Sequence, residues 1–513
     1  MNEEIFRLSR RNFLAQGTCG AMGIGSIVNT LSQLQLINSA TASTTSSVTA
    51  DYKALVCIFL RGGCDMNNVL IPVGENPLAS TYAAERGAVA IPNGVISDFN
   101  LDGADNTIAI NNTGDPMGLH PSLTQLASMY EAGQAAFLTN VGTLAEPTTK
   151  DTYSISALPN QLFSHSDQVT EWMSSIADRP YTSGWGARVA ELYNDTWNQV
   201  SQSSMLISAS GNNQFLNGST SVPQYSVTTT GAVSLSGFGT NYANAFEEDG
   251  VTYRDNATGK RLRALERIMA YSHQNLIGDS YASVVKRARE TEAIITAATD
   301  AATNIGLDLD TIFANAQTEV GDELKAIAKL IAGRTQLGNN RQIFFVDLGG
   351  FDNHQDINAD LEANLNQLDA AIAAFNNAMI ALDANQLDPD FSYDQVTTFQ
   401  ASDFNRTWTP NGEDPESAGT DHAWGTHSII FGGAVNGGQL HGTFPELALG
   451  GADDVPSGSR GRWIPTTSVD QYCALLANWF GVPIGSPEMD TIFPNLNRFD
   501  APFDIATLNL FKA

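Results

Sequence analysis

Four apolar runs of strand length recur along the chain, at residues 54–60, 135–141, 342–348 and 396–399. The first run is closed by Gly62 and Gly63, and the third by Gly349 and Gly350. Unbroken apolar runs that end in turn residues are typical of strands buried on both faces of a parallel sheet, because neither face meets water. The pattern therefore predicts a sheet at the centre of the molecule.

Segments with helical periodicity lie between these runs. Apolar side chains recur three or four residues apart in 121–133 and 361–382, and residues 258–335 are mostly helical in pattern. One face of that last segment carries a row of apolar residues, Leu262, Leu265, Ile268 and Met269. Strands that alternate with helices predict an α/β fold of three layers, with a central, mostly parallel sheet flanked by helices.

Two stretches break this alternation. Residues 194–256 are rich in Ser, Thr, Asn and Gly and contain short alternating pieces, which predicts a loop- and strand-rich insertion. Residues 385–420 are polar and carry several prolines, which predicts a surface loop. We expect a single domain over 51–513 that contains the insertion at about 194–256 and the helical segment 258–335.

The N-terminus has the pattern of an export signal. Arg10 and Arg11 precede Phe13 and Leu14, and a weakly apolar run follows. A paired arginine ahead of such a run is typical of a twin-arginine signal, which is used by proteins that cross the membrane already folded. The run is too polar to form a stable transmembrane helix.

An Ala-x-Ala sequence at 40–42 predicts where this signal is removed. The expected organisation is therefore a signal peptide at 1–42 and a Ser/Thr-rich linker at 43–50. We expect the twin-arginine translocase to be a partner during export, and the mature chain to reach the periplasm or the cell exterior. No later stretch is long and apolar enough to span a bilayer.

The net charge of the chain argues against some classes of binding partner. Among 513 residues, Lys and Arg number 26 against 55 Asp and Glu, for a net charge of -29. A surface this acidic repels phosphate backbones and anionic lipids, which argues against nucleic-acid binding and against binding to an anionic membrane surface. Hydrophobic residues make up 42% of the chain, enough for a large core.

Cysteine usage argues against several kinds of site. The chain has four cysteines, of which Cys19 lies in the predicted signal peptide, and the others have no CxxC spacing. A disulfide framework or a thiolate metal site is therefore not indicated. The sequence also lacks haem-attachment, iron–sulfur and GxGxxG spacings, so a redox enzyme is only weakly supported.

Candidate metal ligands occur where strands are predicted to end, which is where open α/β sheets bind ligands. Three segments carry them: Asp65, then Asp352 with His354, then Asp421 with His422 and His427. Carboxylate oxygen and imidazole nitrogen suit Zn, Mn or other divalent ions. Each segment also has a structural interpretation: a turn or helix cap at the first, an Asp turn beside an exposed His at the second, and histidines packed on Trp424 at the third.

Two further segments carry reactive groups. Ser164 and His165 are adjacent, but neighbouring side chains diverge, and capping of a helix by the serine is an alternative. Arg406 follows a predicted strand, where it could clamp an anionic group or pair with a carboxylate.

Several motifs resemble one family along nearly the whole predicted mature chain. They are LRGGCDMNNVLIP at 60–72, GLHPSL at 118–123, LGGFDNH at 348–354, FNRT at 404–407 and GTDHAWGTHSIIFGGAVNGG at 419–438. In these motifs the chain resembles an exported bacterial family, domain of unknown function 1501. That family is similar to the alkaline phosphatase and sulfatase superfamily, which implies an alkaline phosphatase-like three-layer fold and two divalent metals around a nucleophilic Ser, Thr or modified Cys.

The resemblance implies a role for each candidate residue. The first metal would be held by Asp65, Asp421 and His422, and the second by Asp352, His354 and His427. The substrate would be met by the nucleophile Ser164 with His165 beside it, and by Asn68 and Arg406 on its anionic group.

The expected function is that of an exported, metal-dependent hydrolase of phosphate or sulfate esters. Its substrate would be a small-molecule or polysaccharide ester, and its cofactor one or two divalent ions such as Zn, Mn, Mg or Ca. The alternative is a non-catalytic, exported scaffold of the cell envelope that binds metal or a partner protein.

Overall fold

A computed structural model describes most of the chain after the predicted linker. The described residues are 51–92, 109–110, 114–199, 201, 203–218, 222–229, 231–232, 237–238, 242–247, 252–269, 292, 294–303, 305–385, 388–499 and 508–512. The predicted signal peptide at 1–42 and linker at 43–50 lie outside them. Among the described residues, none of the helices combines the length and apolar character needed to cross a membrane.

The strands of the described chain are short pieces and long buried runs. In order they are β1 (Lys53–Leu60), β2 (Leu70–Pro72), β3 (Ala109–Ile110), β4 (Pro116–Leu119), β5 (Ala135–Gly142), β6 (Leu206–Ser208), β7 (Tyr225–Thr228), β8 (Gly231–Ala232), β9 (Arg341–Leu348), β10 (Val396–Ser402), β11 (Thr426–Gly432), β12 (Leu440–His441) and β13 (Thr467–Ser468). All four predicted apolar runs are strands, and the shortest of them extends to Ser402.

The α-helices alternate with these strands. They are α1 (Pro77–Arg86), α2 (Thr124–Glu131), α3 (His165–Ser174), α4 (Trp185–Trp197), α5 (Ala257–Met269), α6 (Leu309–Ile312), α7 (Glu319–Ala332), α8 (Arg334–Leu337), α9 (Ile357–Asp383), α10 (Val469–Phe480) and α11 (Pro487–Ile492). The helix predicted at 361–382 is α9, the longest of these. The helix predicted at 121–133 is α2, which is shorter than the pattern suggested.

The central sheet has the strand order β12-β5-β11-β10-β1-β9-β6-β7-β8, with β13 also paired to β5. β1 lies between β9 and β10 and is parallel to both, and β6 is parallel to β9 and β7. β11 and β8 run antiparallel to their neighbours. A separate small antiparallel sheet has the order β2-β4-β3. The predicted mostly parallel sheet is confirmed.

Both faces of this sheet are covered, which explains the unbroken apolar runs. Alternate residues of β1 belong to two separate cores: Val56 and Ile58 pack in the core that contains α7 and α9 residues. Cys57 and Phe59 pack in the core that contains α4 and α10 residues. Since successive side chains of a strand point to opposite faces, a strand between two helical layers must be apolar throughout. The predicted three-layer α/β fold is confirmed.

Two polar stretches differ in detail from their predictions. Residues 194–256 contribute β6, β7 and β8, so the predicted insertion extends the edge of the central sheet. Residues 403–408, predicted to be surface loop, are buried throughout. Their polar side chains are held inside the molecule by hydrogen bonds at the carboxyl end of β10, where the candidate site lies.

Candidate metal centre

The carboxyl ends of three adjacent parallel strands form the base of the site. Leu60, Leu348 and Ser402 end β1, β9 and β10 side by side. The turn after β1 contains Gly62 with φ +112°, and a Cβ there would lie 2.3 Å from the backbone nitrogen of Asp352. Because only glycine permits this approach, Gly62 lets the turn after β1 pack directly against the turn that contains Asp352.

Two extended segments beyond β10 bring further groups to the same place. Arg406 and His422 form an antiparallel bridge, and the Thr407 N–H donates to the Asp421 carbonyl at 2.8 Å. Successive side chains of an extended segment point in opposite directions. Asp421 and His422 nevertheless both contact His354, Asp421 at Nδ1 and His422 at Nε2 of its ring.

Four atoms that could bind a metal ion lie close together at this edge of the sheet; we refer to them below as the donor set. The Nε2 atom of His422 lies 3.0 Å from Nε2 of His165 and 2.9 Å from Nε2 of His354. Oδ1 of Asp352 lies 3.3, 3.2 and 3.6 Å from the Nε2 atoms of His165, His354 and His422, respectively. The donors of His165, Asp352 and His422 all fall within 4.8 Å of one another, and His354 contacts two of the three.

Carboxylates orient two of the three imidazoles. Nδ1 of His165 lies 2.7 Å from Oδ2 of Asp403, and Nδ1 of His354 lies 3.1 Å from Oδ1 of Asp421. An ionised carboxylate only accepts, so Nδ1 donates in both rings and the Nε2 lone pair faces the cluster. The hydrogen bond with Asp403 raises the pKa of His165 above its ordinary value, against the effect of burial.

A backbone carbonyl orients the third imidazole. Nδ1 of His422 donates to the carbonyl oxygen of Phe163 at 2.8 Å, which leaves its Nε2 unprotonated in the neutral ring. Phe163 adopts φ +75°, a left-handed conformation that a bulky residue rarely takes. Such strain is typical of functional sites. Burial lowers the pKa of His422, which favours the neutral ring.

The four converging acceptors require a positive charge between them. Three Nε2 lone pairs and a carboxylate oxygen repel one another unless a cation or a proton lies among them. Ligand atoms about 2.1 Å from one ion are about 3.0 Å apart at a right angle and about 3.4 Å apart at the tetrahedral angle. The three separations within the group His165, Asp352 and His422, from 3.0 to 3.6 Å, match this range. His354 lies against two members of this group, 2.9 Å from His422 and 3.2 Å from Asp352. The residues present therefore fit one divalent ion bound by nitrogen and oxygen.

Arg406 fixes the carboxylate of this set. Its Nη1 donates to Oδ1 of Asp352 at 2.8 Å and to the Gly62 carbonyl at 3.1 Å, and its other donors bond to Thr420. Although burial opposes it, this hydrogen bond and charge hold the pKa of Asp352 below its usual range. The Arg406 side chain is fully buried with its donors engaged. Arg406 therefore holds the ligand Asp352 in place. It cannot also contact the anionic group of a substrate, as the resemblance implied.

The cluster is open to solvent on one side. The side chains of His422 and His165 are 25% and 30% exposed, and those of His354 and Asp352 are 43% and 50% exposed. Structural zinc sites are closed by protein ligands, whereas catalytic sites keep a position for water or substrate. The arrangement is of the open kind.

A family model described as a protein of unknown function (DUF1501) matches residues 52–457. The chain belongs to this family. The matched region contains the four converging donors and both carboxylates that orient them. A comparison with curated proteins gave no match.

In this DUF1501 chain, Asp65 lies outside the cluster. Its side chain is fully buried, and Oδ2 accepts from Nη2 of Arg86 at 2.5 Å. The same guanidinium donates to the carbonyls of Thr407 and Trp408, both at 3.0 Å. Asp65 therefore holds Arg86 as a clamp on the segment after β10, and the structure does not place it as a metal ligand.

His427 is also separate from the cluster. It lies on β11, is 2% exposed, and its Nδ1 accepts from the Asn140 N–H at 3.1 Å. Its ring stacks on Phe444. Burial lowers its pKa to about 3, so it is a neutral core residue. Without Asp65 and His427, the two metal sets implied by the resemblance reduce to one.

The remaining assignments change as well. The Ser164 hydroxyl donates to Oδ2 of Asp167 at 2.6 Å, at the start of α3, and not to the cluster. Asn68 is 1% exposed, and its amide is engaged by Tyr82, Arg86 and Val89. His165, expected beside a nucleophile, instead belongs to the donor set. Asp421 holds His354 in place and does not reach the centre itself.

The residues that orient the site were not predicted from the sequence. Asp403 directly follows β10, and this position after a buried strand was the available signal. The Phe163 carbonyl has no signature in sequence. Arg460 and Arg462 were also missed: the first donates to Oδ2 of Asp421, and the second donates through Nε to the His422 carbonyl at 2.9 Å.

Proposed function

We propose that this protein is an exported, metal-dependent hydrolase of phosphate or sulfate esters that uses one divalent ion. The convergence of three Nε2 atoms and one carboxylate oxygen at a solvent-open sheet edge carries the proposal. The resemblance to alkaline phosphatases and sulfatases supports the substrate class. The twin-arginine pattern supports export in the folded state, which suits a protein that must acquire its metal first.

The ligands would be His165, His354, His422 and Asp352. A divalent ion held there would supply Lewis-acid activation of an ester oxygen and of water. Asp403 and Asp421 keep the proton on Nδ1 of their histidines, so that the Nε2 lone pairs remain available.

Solvent water, and not a side chain, is the proposed nucleophile. Ser164 donates its hydroxyl to Asp167, so the oxygen is directed away from the donor set. The open face of the cluster gives water direct access. The water oxygen would form a bond to phosphorus or sulfur as the bond to the leaving oxygen breaks, and the water proton would pass through solvent at the open face to the leaving alcohol. Arg406 keeps Asp352 ionised, so this residue would remain a ligand.

The test is hydrolysis of a panel of phosphate monoesters, phosphodiesters and sulfate esters by the metal-loaded protein. His422→Ala should lower kcat/KM by more than about 100-fold, beyond the range typical of outer-shell partners. His441→Gln is the matched control, because a glutamine amide can replace the ring N–H that donates to the Asn436 carbonyl. Equal activity of wild type and His422→Ala would refute the proposed role.

A second candidate is an exported, non-catalytic scaffold that binds metal. It is favoured by the position of Ser164, since the nucleophile implied by the resemblance is engaged with Asp167. Stable metal binding without turnover of any ester in the panel, together with recovery of a stoichiometric partner from the cell envelope, would select this function.

A further inference from the structure

We propose that Arg462 and Tyr153 form an oxyanion receptor beside the histidine cluster, and that it binds the phosphate or sulfate group of the substrate. The inference rests on the proposed function and deepens it. The receptor takes over the contact with the anionic group that the resemblance gave to Arg406 and Asn68, whose polar groups are buried and already hydrogen-bonded.

Arg462 is held against the cluster by one edge of its guanidinium. Nε donates to the carbonyl of His422, and the guanidinium carbon lies 4.6 Å from the ring centroid of Phe163. The backbone N–H of Arg462 donates to Oδ1 of Asp454 at 3.0 Å, which fixes the segment. Both contacted residues, His422 and Phe163, are part of the site, so the guanidinium is adjacent to the donor set.

The outer edge of this guanidinium has no protein acceptor. Within the described part of the chain, Nη1 and Nη2 of Arg462 make no hydrogen bond and no ion pair. The nearby carboxylates are engaged elsewhere: Asp421 accepts from His354 and Arg460, and Asp454 accepts two backbone N–H groups. A planar pair of free N–H donors matches two oxygens of an oxyanion.

Tyr153 supplies a second free donor. Its ring packs edge-to-face on Trp424, with centroids 6.4 Å apart. Among the described residues its hydroxyl has no hydrogen-bond partner. Tyr153 and Phe163 pack against the same hydrophobic cluster, which contains Trp424, and the Arg462 guanidinium lies over the Phe163 ring, so the phenol and the guanidinium are on the same side of the site. Burial raises the pKa of Tyr153. The phenol stays protonated and can donate to the same anion.

Local positive charge is needed here because the whole protein is strongly acidic. A net charge of -29 repels anions at a distance, and only 26 residues are Lys or Arg. Arg460 and Arg462 lie two residues apart and both contact the site. Burial and the neighbouring charge of Arg460 lower the pKa of Arg462.

The experiment is calorimetric titration of inorganic phosphate and inorganic sulfate into the metal-loaded protein. Arg462→Gln should weaken binding of the preferred anion at least about tenfold, and Tyr153→Phe about threefold. Metal content of both variants should equal that of wild type. Arg179→Gln is the matched control, because that exposed arginine pairs only with Asp178 among the described residues, and its loss should change nothing.

The same titration on metal-depleted protein separates this inference from the proposed function. An affinity difference between wild type and Arg462→Gln that persists without metal supports the receptor even if no ester is hydrolysed. Wild-type affinity in both Arg462→Gln and Tyr153→Phe would overturn it, whatever the fate of the hydrolase proposal. If Arg462→Gln does not fold, Arg462→Lys keeps the charge and removes the fork, and unchanged anion affinity in that variant would equally overturn it.

Discussion

Asp403→Asn is the most informative single change, because it alters one atom and leaves the four donors in place. The Asp403 side chain is 3% exposed, accepts from Nδ1 of His165 at 2.7 Å and from the Gly62 N–H at 3.2 Å. A short hydrogen bond to a buried carboxylate is of the strong, charge-assisted kind. An asparagine oxygen can still accept one of these bonds, but without the charge that makes His165 a better ligand.

The expected loss of metal affinity follows from the role of a carboxylate that orients a metal-binding histidine. Removing an outer-shell carboxylate lowers metal affinity about 10- to 100-fold, or about 1.4 to 2.8 kcal/mol. The pKa of His165 in metal-free protein should fall at the same time, since the Asp403 hydrogen bond is the largest cause of its rise. Competition between the protein and a fluorescent zinc chelator measures the first quantity, and an NMR titration of the imidazole measures the second.

Asp347→Asn is the matched control for this change. Asp347 lies near the carboxyl end of β9, which is separated from β10 by β1, and pairs with Arg61, outside the donor set. It should bind metal like wild type. Metal affinity of Asp403→Asn within twofold of wild type, with an unchanged His165 pKa, would show that Asp403 does not strengthen His165 as a ligand.

Three further changes test the framework around the site. Arg86→Met leaves the buried charge of Asp65 without its partner and should lower the free energy of unfolding by about 3–5 kcal/mol in urea, while the folded protein keeps its metal. Gly62→Ala puts a Cβ 2.3 Å from the Asp352 nitrogen and should lower both the melting temperature and the metal affinity. Asp470 is buried with its pKa raised to about 8, so the native carboxyl keeps a proton that the unfolded chain releases near pH 4. Its contribution to stability should fall as pH rises between about 4 and 8, by at most about 1.4 kcal/mol per pH unit, and Asp470→Asn should lessen the pH dependence of unfolding in urea by that amount.

Each of these expectations has a contradicting result. Loss of metal from folded Arg86→Met would mean that Asp65 or its surroundings contribute to the metal site after all. Wild-type melting and metal affinity in Gly62→Ala would mean that the two turns do not need their close approach. Parallel pH dependence of unfolding in wild type and Asp470→Asn would mean that this carboxyl is ionised in the native state.

Much of the fold was predictable because burial on both faces leaves a local trace. The run at 54–60 is apolar throughout, and those at 135–141 and 342–348 are mostly apolar, because the central strands have helices on either side. The segment 403–408 was not recognised as buried, since its polar side chains are satisfied by partners far away in sequence. Arg406, for example, bonds to Asp352 and Gly62 across two other turns.

The candidate site was predictable only in part. The strand-end rule placed the segments of Asp352, His354 and His422 at one edge of the sheet, and the structure brings these three residues into contact, although the resemblance divided them between two metals. It could not rank Asp65 against them, because an aspartate after a strand looks the same whether it meets a metal or an arginine. The His165–His422 contact joins residues 257 positions apart, and no local pattern records that distance.

The proposed metal centre holds one divalent ion through His165, His354, His422 and Asp352. Plasma mass spectrometry of protein purified without chelator measures it most directly, as moles of metal per chain. We predict one ion per chain in wild type and in His427→Gln, and none in His354→Ala or His422→Ala. Two ions per chain would restore the two-metal arrangement implied by the resemblance. No metal in wild type would contradict the proposal that these residues form a metal centre.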